Sequence, residues 1–225
     1  MFDNRPTRHS YSSLRTYKEC PAKYAYSYID RIPSPPSAAM DRGSRLHKLC
    51  EDYLGGGLPS CPYDIRRIGV KIFQMRGKGA LPEQTWLLDK DWYATEDPGE
   101  AMLKAIIDVH YMDSGVLKIH DYKSGREYPE HQDQLELYAL IGLQRFPLTG
   151  RVEASAIYID TGIEGQPRSI IRPMLPKLRQ RWDGLIARVG ADGEFLPTPG
   201  GHCRRCHYRS DAGGECDAWR EVNEF

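Results

Sequence analysis

Two aspartates and a lysine stand within one short segment, AMLKAIIDVHYMDSGVLKIHDYKSG, whose residue types could support metal-dependent chemistry. Its alternating apolar residues predict two antiparallel strands that turn at Asp113–Gly115. A three-residue loop would shift the register from that of a two-residue turn at Ser114–Gly115. With that turn Asp113 faces Val116, and counting back places Asp108 opposite Asp121. Carboxylates at facing positions repel each other, and a divalent cation between them reverses the sign of the interaction. The segment therefore predicts a site for Mg²⁺ or Mn²⁺.

Lys123 follows Asp121 by two residues, and residues two apart on a strand share a face. An ammonium group there can orient an attacking water or stabilise negative charge on a phosphate. The carbonyl of Tyr122 is a further candidate ligand for the metal. Because Asp-x-Lys is a short and common pattern, an exposed hairpin with ordinary surface charges remains the alternative.

Two pairs of polar residues at helical spacing point to the same chemistry. His47 and Glu51 are four residues apart in GSRLHKLCE, so the imidazole could bind the cation while Glu51 fixes its orientation. Gln134 and Tyr138 are also four apart and could hold a DNA phosphate or a water. A hydrogen-bonded histidine and ordinary amphipathic patterning explain these pairs equally well. Glu83, at the start of a predicted strand, offers another carboxylate.

The cysteines suggest a second site. The chain has six, and in a protein of the cytoplasm that number favours metal binding over disulfides. Cys203 and Cys206 have the spacing of a metal-binding knuckle, and Cys216 adds a third thiolate. Four-thiolate sites hold zinc or a [4Fe–4S] cluster, and spacing alone does not choose between them. His202 and His207 are nearby alternatives for a zinc site.

The elements that would position these residues alternate between helices and strands. We predict helices over 10–30, 43–54, 62–76, 130–145 and 175–190, and strands over 83–94, 101–111, 116–123, 152–160 and 168–173. The tail from residue 195 is rich in Pro, Gly and Cys and needs a cross-link, because it cannot build an apolar core of its own. This order indicates an α/β core with a small helical lobe made from both termini.

Composition bounds the class of protein. The chain has 225 residues, with 40% hydrophobic and 28% charged, which suits a soluble globular protein. It has no apolar run that could span a membrane, and its first residues lack the apolar stretch of a signal peptide. We therefore expect a cytoplasmic protein.

Net charge is zero, but the basic residues are clustered. The three groups are Arg5, Arg8, Arg15, Lys18 and Lys23, then Arg66, Arg67, Lys71, Arg76 and Lys78, then Arg204, Arg205 and Arg209. Such groups could contact phosphates, or they could be solvated helix faces.

Four motifs follow one another along the chain: Gly43-x-x-x-His47-x-x-x-Glu51, Ile107–Asp108, Asp121–Tyr122–Lys123 and Gln134-x-x-x-Tyr138. This order resembles that of the RecB-like PD-(D/E)XK nucleases, which include the nuclease domains of RecB and AddB, the CRISPR-adaptation nucleases and related phage exonucleases. The opening SYSSLRTYKECPAKYAYSYI resembles the first segment of that family, and the ending FLPTPGGHCRRCHYRSDAGGEC resembles its cysteine-rich close. The resemblance covers nearly the whole chain.

The resemblance implies a restriction-endonuclease-like α/β core, a mixed central sheet flanked by helices, with a small helical lobe closed by a four-cysteine metal cluster. It implies a single nuclease domain over 1–225, with an N-terminal helical lobe at 1–80, the nuclease core at 81–190 and a cysteine-rich clasp at 191–225. The implied metal ligands are His47, Asp108, Asp121 and the Tyr122 carbonyl. Lys123 would be the catalytic lysine, and Gln134 and Tyr138 would support DNA binding or the active-site network.

The resemblance also supplies a fourth cysteine, Cys20, and favours a [4Fe–4S] cluster over zinc. A cluster that joins Cys20 to Cys203, Cys206 and Cys216 would close a loop of more than 180 residues. If it acts as a disulfide does, it stabilises the fold by about 4–5 kcal/mol. The nine residues between Cys206 and Cys216 are more than is usual in the family.

The function implied is that of a Mg²⁺- or Mn²⁺-dependent DNA exonuclease, acting in recombination, repair or DNA processing. Its substrate would be DNA that is single-stranded or has a free end. The alternative is a non-catalytic DNA-binding or recombination partner on the same fold, which need not keep both acids and the lysine. A zinc-stapled module for protein contacts would explain the cysteines but not the hairpin.

Overall fold

The structure, a computed structural model, describes residues 5–35 and 37–222. Its α-helices are α1 (Tyr11–Glu19), α2 (Pro21–Tyr24), α3 (Ala38–Leu54), α4 (Gly69–Gly77), α5 (Glu130–Arg145) and α6 (Leu175–Ala191). Its strands are β1 (Leu81–Leu88), β2 (Ala94–Thr95), β3 (Leu103–Asp113), β4 (Val116–Lys123), β5 (Arg151–Tyr158), β6 (Ile163–Glu164) and β7 (Arg168–Ile171). No helix in these ranges combines the length and apolar character needed to cross a bilayer.

The strands of the described residues form one mixed sheet in the order β2-β1-β3-β4-β5-β6, with β7 also pairing with β5. β4 and β5 are parallel, and the other neighbours are antiparallel. A parallel pair needs a crossover connection, and α5 supplies it. The α/β fold with a mixed sheet flanked by helices, expected from the sequence, is therefore confirmed.

The chain divides into two compact units. One comprises Ser37–Arg179 and contains the whole sheet with α3, α4 and α5. The other combines Met1–Pro36 with Gln180–Phe225, so it draws on both ends of the chain. In this second unit the Tyr17 hydroxyl donates to Asp192 at 2.8 Å, and the Tyr17 ring meets Phe195 edge to face.

An apolar core lies between α3, α4 and the sheet. Buried residues from all three elements form one cluster, which includes Leu46, Cys50, Ile68, Ile72, Val109 and Tyr122. Each large side chain buried here stabilises the fold by roughly 1.5–3 kcal/mol. This core fixes the orientation of α3, and thereby of His47.

α5 packs more closely on the sheet than its amphipathic spacing suggests. Every residue from Leu135 to Leu143 is buried. A Cβ built on Gly142 would come within 2.9 Å of Leu117 and 3.1 Å of Ile119, so glycine allows the close approach. The contact anchors the helix that carries Gln134 and Tyr138.

Several predicted element boundaries were wrong for local reasons. The helix over 10–30 is broken at Cys20, which is extended (φ −161°, ψ 112°) because the following Pro21 disfavours helical backbone there. The helix over 62–76 is interrupted before Gly69, and α3 begins at Ala38 rather than 43.

The strand predicted over 83–94 ends at Leu88. Beyond it Asp89 Oδ1 accepts from the backbone N–H groups of Asp91 and Tyr93, and Trp92 has a φ of 67°. This side-chain hydrogen bonding makes a turn, which competes with the strand that the aromatic residues favour. The strand over 101–111 runs instead from Leu103 to Asp113, and the short β6 was not expected.

Candidate active site

The β3–β4 hairpin has the register that the sequence predicted. Asp113 lies opposite Val116, and the turn residues Ser114 and Gly115 have φ of 51° and 79°. Two successive left-handed residues are what a type I′ turn requires, and they match the twist of the flanking strands. The turn therefore fixes which residues face each other along the whole hairpin.

The last regular pair of the hairpin is Val109 with His120, and the same register continued by one step places Asp108 opposite Asp121. The Tyr122 N–H donates to Asp108 Oδ2 at 2.7 Å. This side-chain hydrogen bond connects β3 and β4 where their backbone pairing ends. The two aspartates are 8% and 4% exposed. Burying two facing carboxylates is costly unless positive charge lies nearby.

Lys123, Gln134 and Tyr138 form one network with Asp121. Lys123 Nζ lies 2.7 Å from Asp121 Oδ2 and donates to Gln134 Oε1 at 2.8 Å. Gln134 Nε2 donates to Asp121 Oδ1 at 3.0 Å and to the Tyr138 hydroxyl at 2.8 Å. Only this amide orientation places the oxygen against the ammonium and the NH₂ group against the carboxylate. Gln134 therefore holds the acid and the lysine in a fixed relation.

His47 reaches the same site from α3. Its Nδ1 lies 3.3 Å from Asp108 Oδ1, and its ring stands perpendicular to that of Tyr122. Burial lowers the pKa of His47, but the hydrogen bond and charge of Asp108 and the charge of Asp121 outweigh it and raise the pKa overall. The carboxylate of Glu51, expected to orient this ring, instead lies 2.9 Å from Lys48 Nζ. Asp108 has the orienting role that the sequence led us to assign to Glu51.

Glu83, the weakest candidate from the sequence, lies in one cluster of possible metal ligands with His47 and Asp108. The donor atoms of His47, Glu83 and Asp108 all lie within 4.8 Å of one another. Glu83 lies within β1 but is not among the residues that pair with β3, and its φ of 44° is a left-handed conformation that is unusual for a residue with a side chain. Such strain is typical of functional sites, and only the three-dimensional structure reveals it.

The raised pKa values of two carboxyl groups show that the site has too little positive charge to balance its acids. Burial raises the pKa of Asp121, and the charge of Asp108 adds to it, against the opposing effect of Lys123. Burial and the charges of Asp108 and Glu51 also raise the pKa of Glu83. A hard divalent cation with oxygen ligands would lower both pKa values, so these residues fit Mg²⁺ or Mn²⁺.

The Tyr122 carbonyl is directed to the same side. Successive residues of a strand point their backbone groups toward opposite neighbours. The Lys123 carbonyl accepts from Ile159, on the β5 side of β4. The backbone of Tyr122 therefore faces β3, where its N–H meets Asp108.

The four cysteines named from the sequence line one pocket in the second compact unit. Cys20, Cys203, Cys206 and Cys216 all contribute to it, together with His202. All four thiols are free. The Gly200 N–H donates to Cys203 Sγ at 3.4 Å, and such N–H···S bonds stabilise a thiolate. The pocket brings the four cysteines into one region of this compact unit, but in the described part of the chain their sulfur atoms are not gathered as closely as the donor atoms of His47, Glu83 and Asp108.

Comparisons with known proteins identify a matching family and similar folds. A family model described as the PD-(D/E)XK nuclease superfamily matches residues 8–210. A candidate exonuclease from Eubacterium rectale aligns with a TM-score of 0.50 at 15% identity, over 92% of this chain and 87% of that one. An alkaline exonuclease from Laribacter hongkongensis aligns with a TM-score of 0.43 at 12% identity, over 83% of this chain and 90% of that one. A search of curated proteins found no match.

Proposed function

Because the chain belongs to the PD-(D/E)XK nuclease superfamily, we propose that it is a Mg²⁺- or Mn²⁺-dependent exonuclease that hydrolyses phosphodiester bonds in DNA. One observation carries the proposal. His47, Glu83 and the buried Asp108 group their donor atoms within 4.8 Å of one another, and the buried Asp121, paired with Lys123 at 2.7 Å, is near enough for its charge to act on His47. Such a set of charges is costly to bury unless a cation or another function compensates for it.

In this proposal His47, Asp108, Asp121 and the Tyr122 carbonyl hold the cation, and Glu83 lies where it can add a carboxylate. The cation, when bound, supplies Lewis-acid stabilisation of the scissile phosphate and lowers the pKa of the attacking water. Asp108 is held for this purpose by the Tyr122 N–H. His47 presents a ring nitrogen to Asp108, so loss of its proton prepares both groups for binding.

Lys123 acts on the substrate in this proposal. Its ammonium stabilises the negative charge that develops on the phosphate and orients the attacking water. Gln134 is a positioning residue, because it accepts from Lys123 and donates to Asp121. Tyr138 keeps the Gln134 amide in the orientation that both contacts need.

We further propose that the substrate is DNA with a single-stranded or free end, in recombination, repair or DNA processing. The support is the ordered motif resemblance to the RecB-like nucleases. The test compares linear and circular single-stranded DNA of equal length in Mn²⁺, with EDTA as the control. An exonuclease degrades only the linear form, whereas equal rates on both forms would identify an endonuclease.

We propose that the cysteine pocket holds a [4Fe–4S] cluster, with zinc as the alternative. Cys20, Cys203, Cys206 and Cys216 would be its ligands, and their convergence on one pocket supports the set. The family resemblance favours iron–sulfur. Anaerobic purification followed by an absorbance spectrum and metal analysis decides between the two metals.

A further inference from the structure

The outer side of the segment 63–77 carries aromatic and basic side chains that the proposed active site does not use. We call this the α4 surface, and its members are Tyr63, Arg66, Arg67, Val70, Phe73 and Arg76. Tyr63, Val70 and Phe73 are 75%, 71% and 64% exposed, and the three arginines are exposed as well. Val70 and Phe73 are three residues apart on α4, so their exposed side chains lie on one side of the helix with arginines nearby in the segment.

The orientation of α4 is set by its other side. Ile65, Ile68, Ile72 and Met75 are buried in the core that also holds Leu46 of α3 and Tyr122 of β4. Rotating the helix would expose these four side chains. The α4 surface therefore points outward for a packing reason and is fixed relative to the helix that carries His47.

The segment also concentrates positive charge. Residues 63–78 contain five basic residues and one acid, whereas the whole chain has 31 of each. Lys71 and Lys78 pair with acids elsewhere in the fold, at 3.3 and 2.6 Å. Among the described residues, no carboxylate lies within ion-pair distance of Arg66, Arg67 or Arg76. The charges of these three arginines are therefore available to an anionic partner, although Arg66 also donates to the Tyr63 carbonyl at 3.0 Å.

The aromatic rings favour a partner that has flat groups able to stack on them, which the positive charge alone would not select. The Arg66 guanidinium lies 3.7 Å from the centre of the Tyr63 ring and covers one of its faces. With 75% of Tyr63 exposed, the other face is open to a flat partner. Phe73 lies next to Arg76 on the last turns of the same helix. Unpaired bases stack on such rings while arginines contact the phosphates between them.

We propose that the α4 surface binds single-stranded DNA, with bases stacked on Tyr63 and Phe73 and phosphates held by Arg66, Arg67 and Arg76. This deepens the proposed nuclease function and rests on it for the identity of the polymer. A duplex fits less well, because its bases are stacked on one another and leave no face for either ring. An acidic protein would satisfy the arginines but would not use the rings.

The test measures binding by fluorescence anisotropy in Ca²⁺, with a labelled 20-nucleotide single strand and the matching blunt duplex as probes. The ring variant is Tyr63→Ala with Phe73→Ala, and the arginine variant changes Arg66, Arg67 and Arg76 to Gln. The matched control is Tyr93→Ala with Lys90→Gln, an exposed ring and an exposed cation of the same compact unit. Melting curves establish that each variant is folded.

The ring variant is expected to raise Kd for the single strand at least about fivefold, with little change for the duplex. The arginine variant is expected to lower the slope of log K against log salt by about 2, roughly 0.7 for each phosphate that an arginine no longer neutralises. The control should bind as the wild type does. Phe73→Trp, which keeps a stacking face, should retain affinity and so separates stacking from a folding defect.

Three results would overturn the inference: single-strand binding by the ring variant at the control value, equal losses for single strand and duplex, or displacement of the probe by poly-glutamate as readily as by DNA. Cleavage in Mn²⁺ is scored separately. If the wild type does not cleave DNA but the ring variant loses single-strand affinity, the nuclease proposal fails and the α4 surface assignment stands. If the wild type cleaves DNA and the ring variant binds the single strand normally, the nuclease proposal stands and the α4 surface assignment fails.

Discussion

Replacing Asp121 with Asn should stabilise the metal-free protein at neutral pH. Burial and the charge of Asp108 raise the pKa of Asp121 to about 6 from its ordinary 3.8, despite Lys123. A raised folded-state pKa means that the native state binds the proton more tightly than the unfolded state does. The stability that this proton gives is complete below pH 3.8 and is lost as the pH rises toward 6.

The magnitude follows from the size of that pKa shift. About two pKa units correspond to at most about 3 kcal/mol in the free energy of unfolding. Asn keeps an oxygen for Gln134 but has no charge, so Asp121→Asn should gain up to that amount at pH 8 and little at pH 3.5. For a protein of this size the gain at pH 8 amounts to a Tm increase of up to about 6–12 °C.

The assay is thermal unfolding in EDTA across that pH range, repeated with Mn²⁺. In Mn²⁺ the order should reverse, because the ion stabilises the wild type by mass action and the variant lacks one of the ligands. The control is Asp113→Asn, which removes an exposed hairpin carboxylate paired with Lys78. A Tm for Asp121→Asn below that of the wild type in EDTA at pH 8 would refute the reasoning.

Three further predictions concern single residues. Lys123→Met should slow cleavage by at least about a hundredfold, because it removes charge stabilisation at the phosphate, and should weaken DNA affinity in Ca²⁺ only slightly; single-turnover kinetics and anisotropy measure the two effects. Cys20→Ser should lower cluster content and Tm together, whereas Cys61→Ser should leave cluster content unchanged; metal analysis and calorimetry decide, and full occupancy in Cys20→Ser would remove Cys20 from the ligand set. Gly142→Val should destabilise the protein by about 1–3 kcal/mol, since a Cβ there comes within 2.9 Å of Leu117, and chemical denaturation measures the loss.

The parts of the site that could be predicted from sequence are those set by local geometry. The two-residue turn fixes the hairpin register from Asp113–Val116 to Val109–His120, and that register continued by one step places Asp108 opposite Asp121. The spacing of four residues on α5 puts Gln134 within hydrogen-bond distance of Tyr138. Each inference needs only a repeat of two or of about 3.6 residues.

The parts that were missed depend on contacts between distant segments. Glu83 joins His47 and Asp108 from a left-handed position within β1, and no periodic pattern in the sequence encodes that backbone conformation. The burial of α5 from Leu135 to Leu143 was also hidden, because a helix covered on several sides has no polar stripe to reveal its period. The assignment of Glu51 was wrong because spacing alone cannot tell which neighbour an acid pairs with.

Cleavage of end-labelled DNA by Asp108→Asn tests the central claim most directly. Asp108 is the only residue in the proposal that contacts both His47 and the backbone of Tyr122. Single-turnover rates in Mn²⁺ are compared with DNA affinity in Ca²⁺, with Asp113→Asn again as the control. We predict a loss in rate of at least about a hundredfold at nearly unchanged affinity, since most affinity comes from cationic contacts to phosphates elsewhere. Cleavage by Asp108→Asn at the wild-type rate would contradict the account of a single acidic, metal-binding active site.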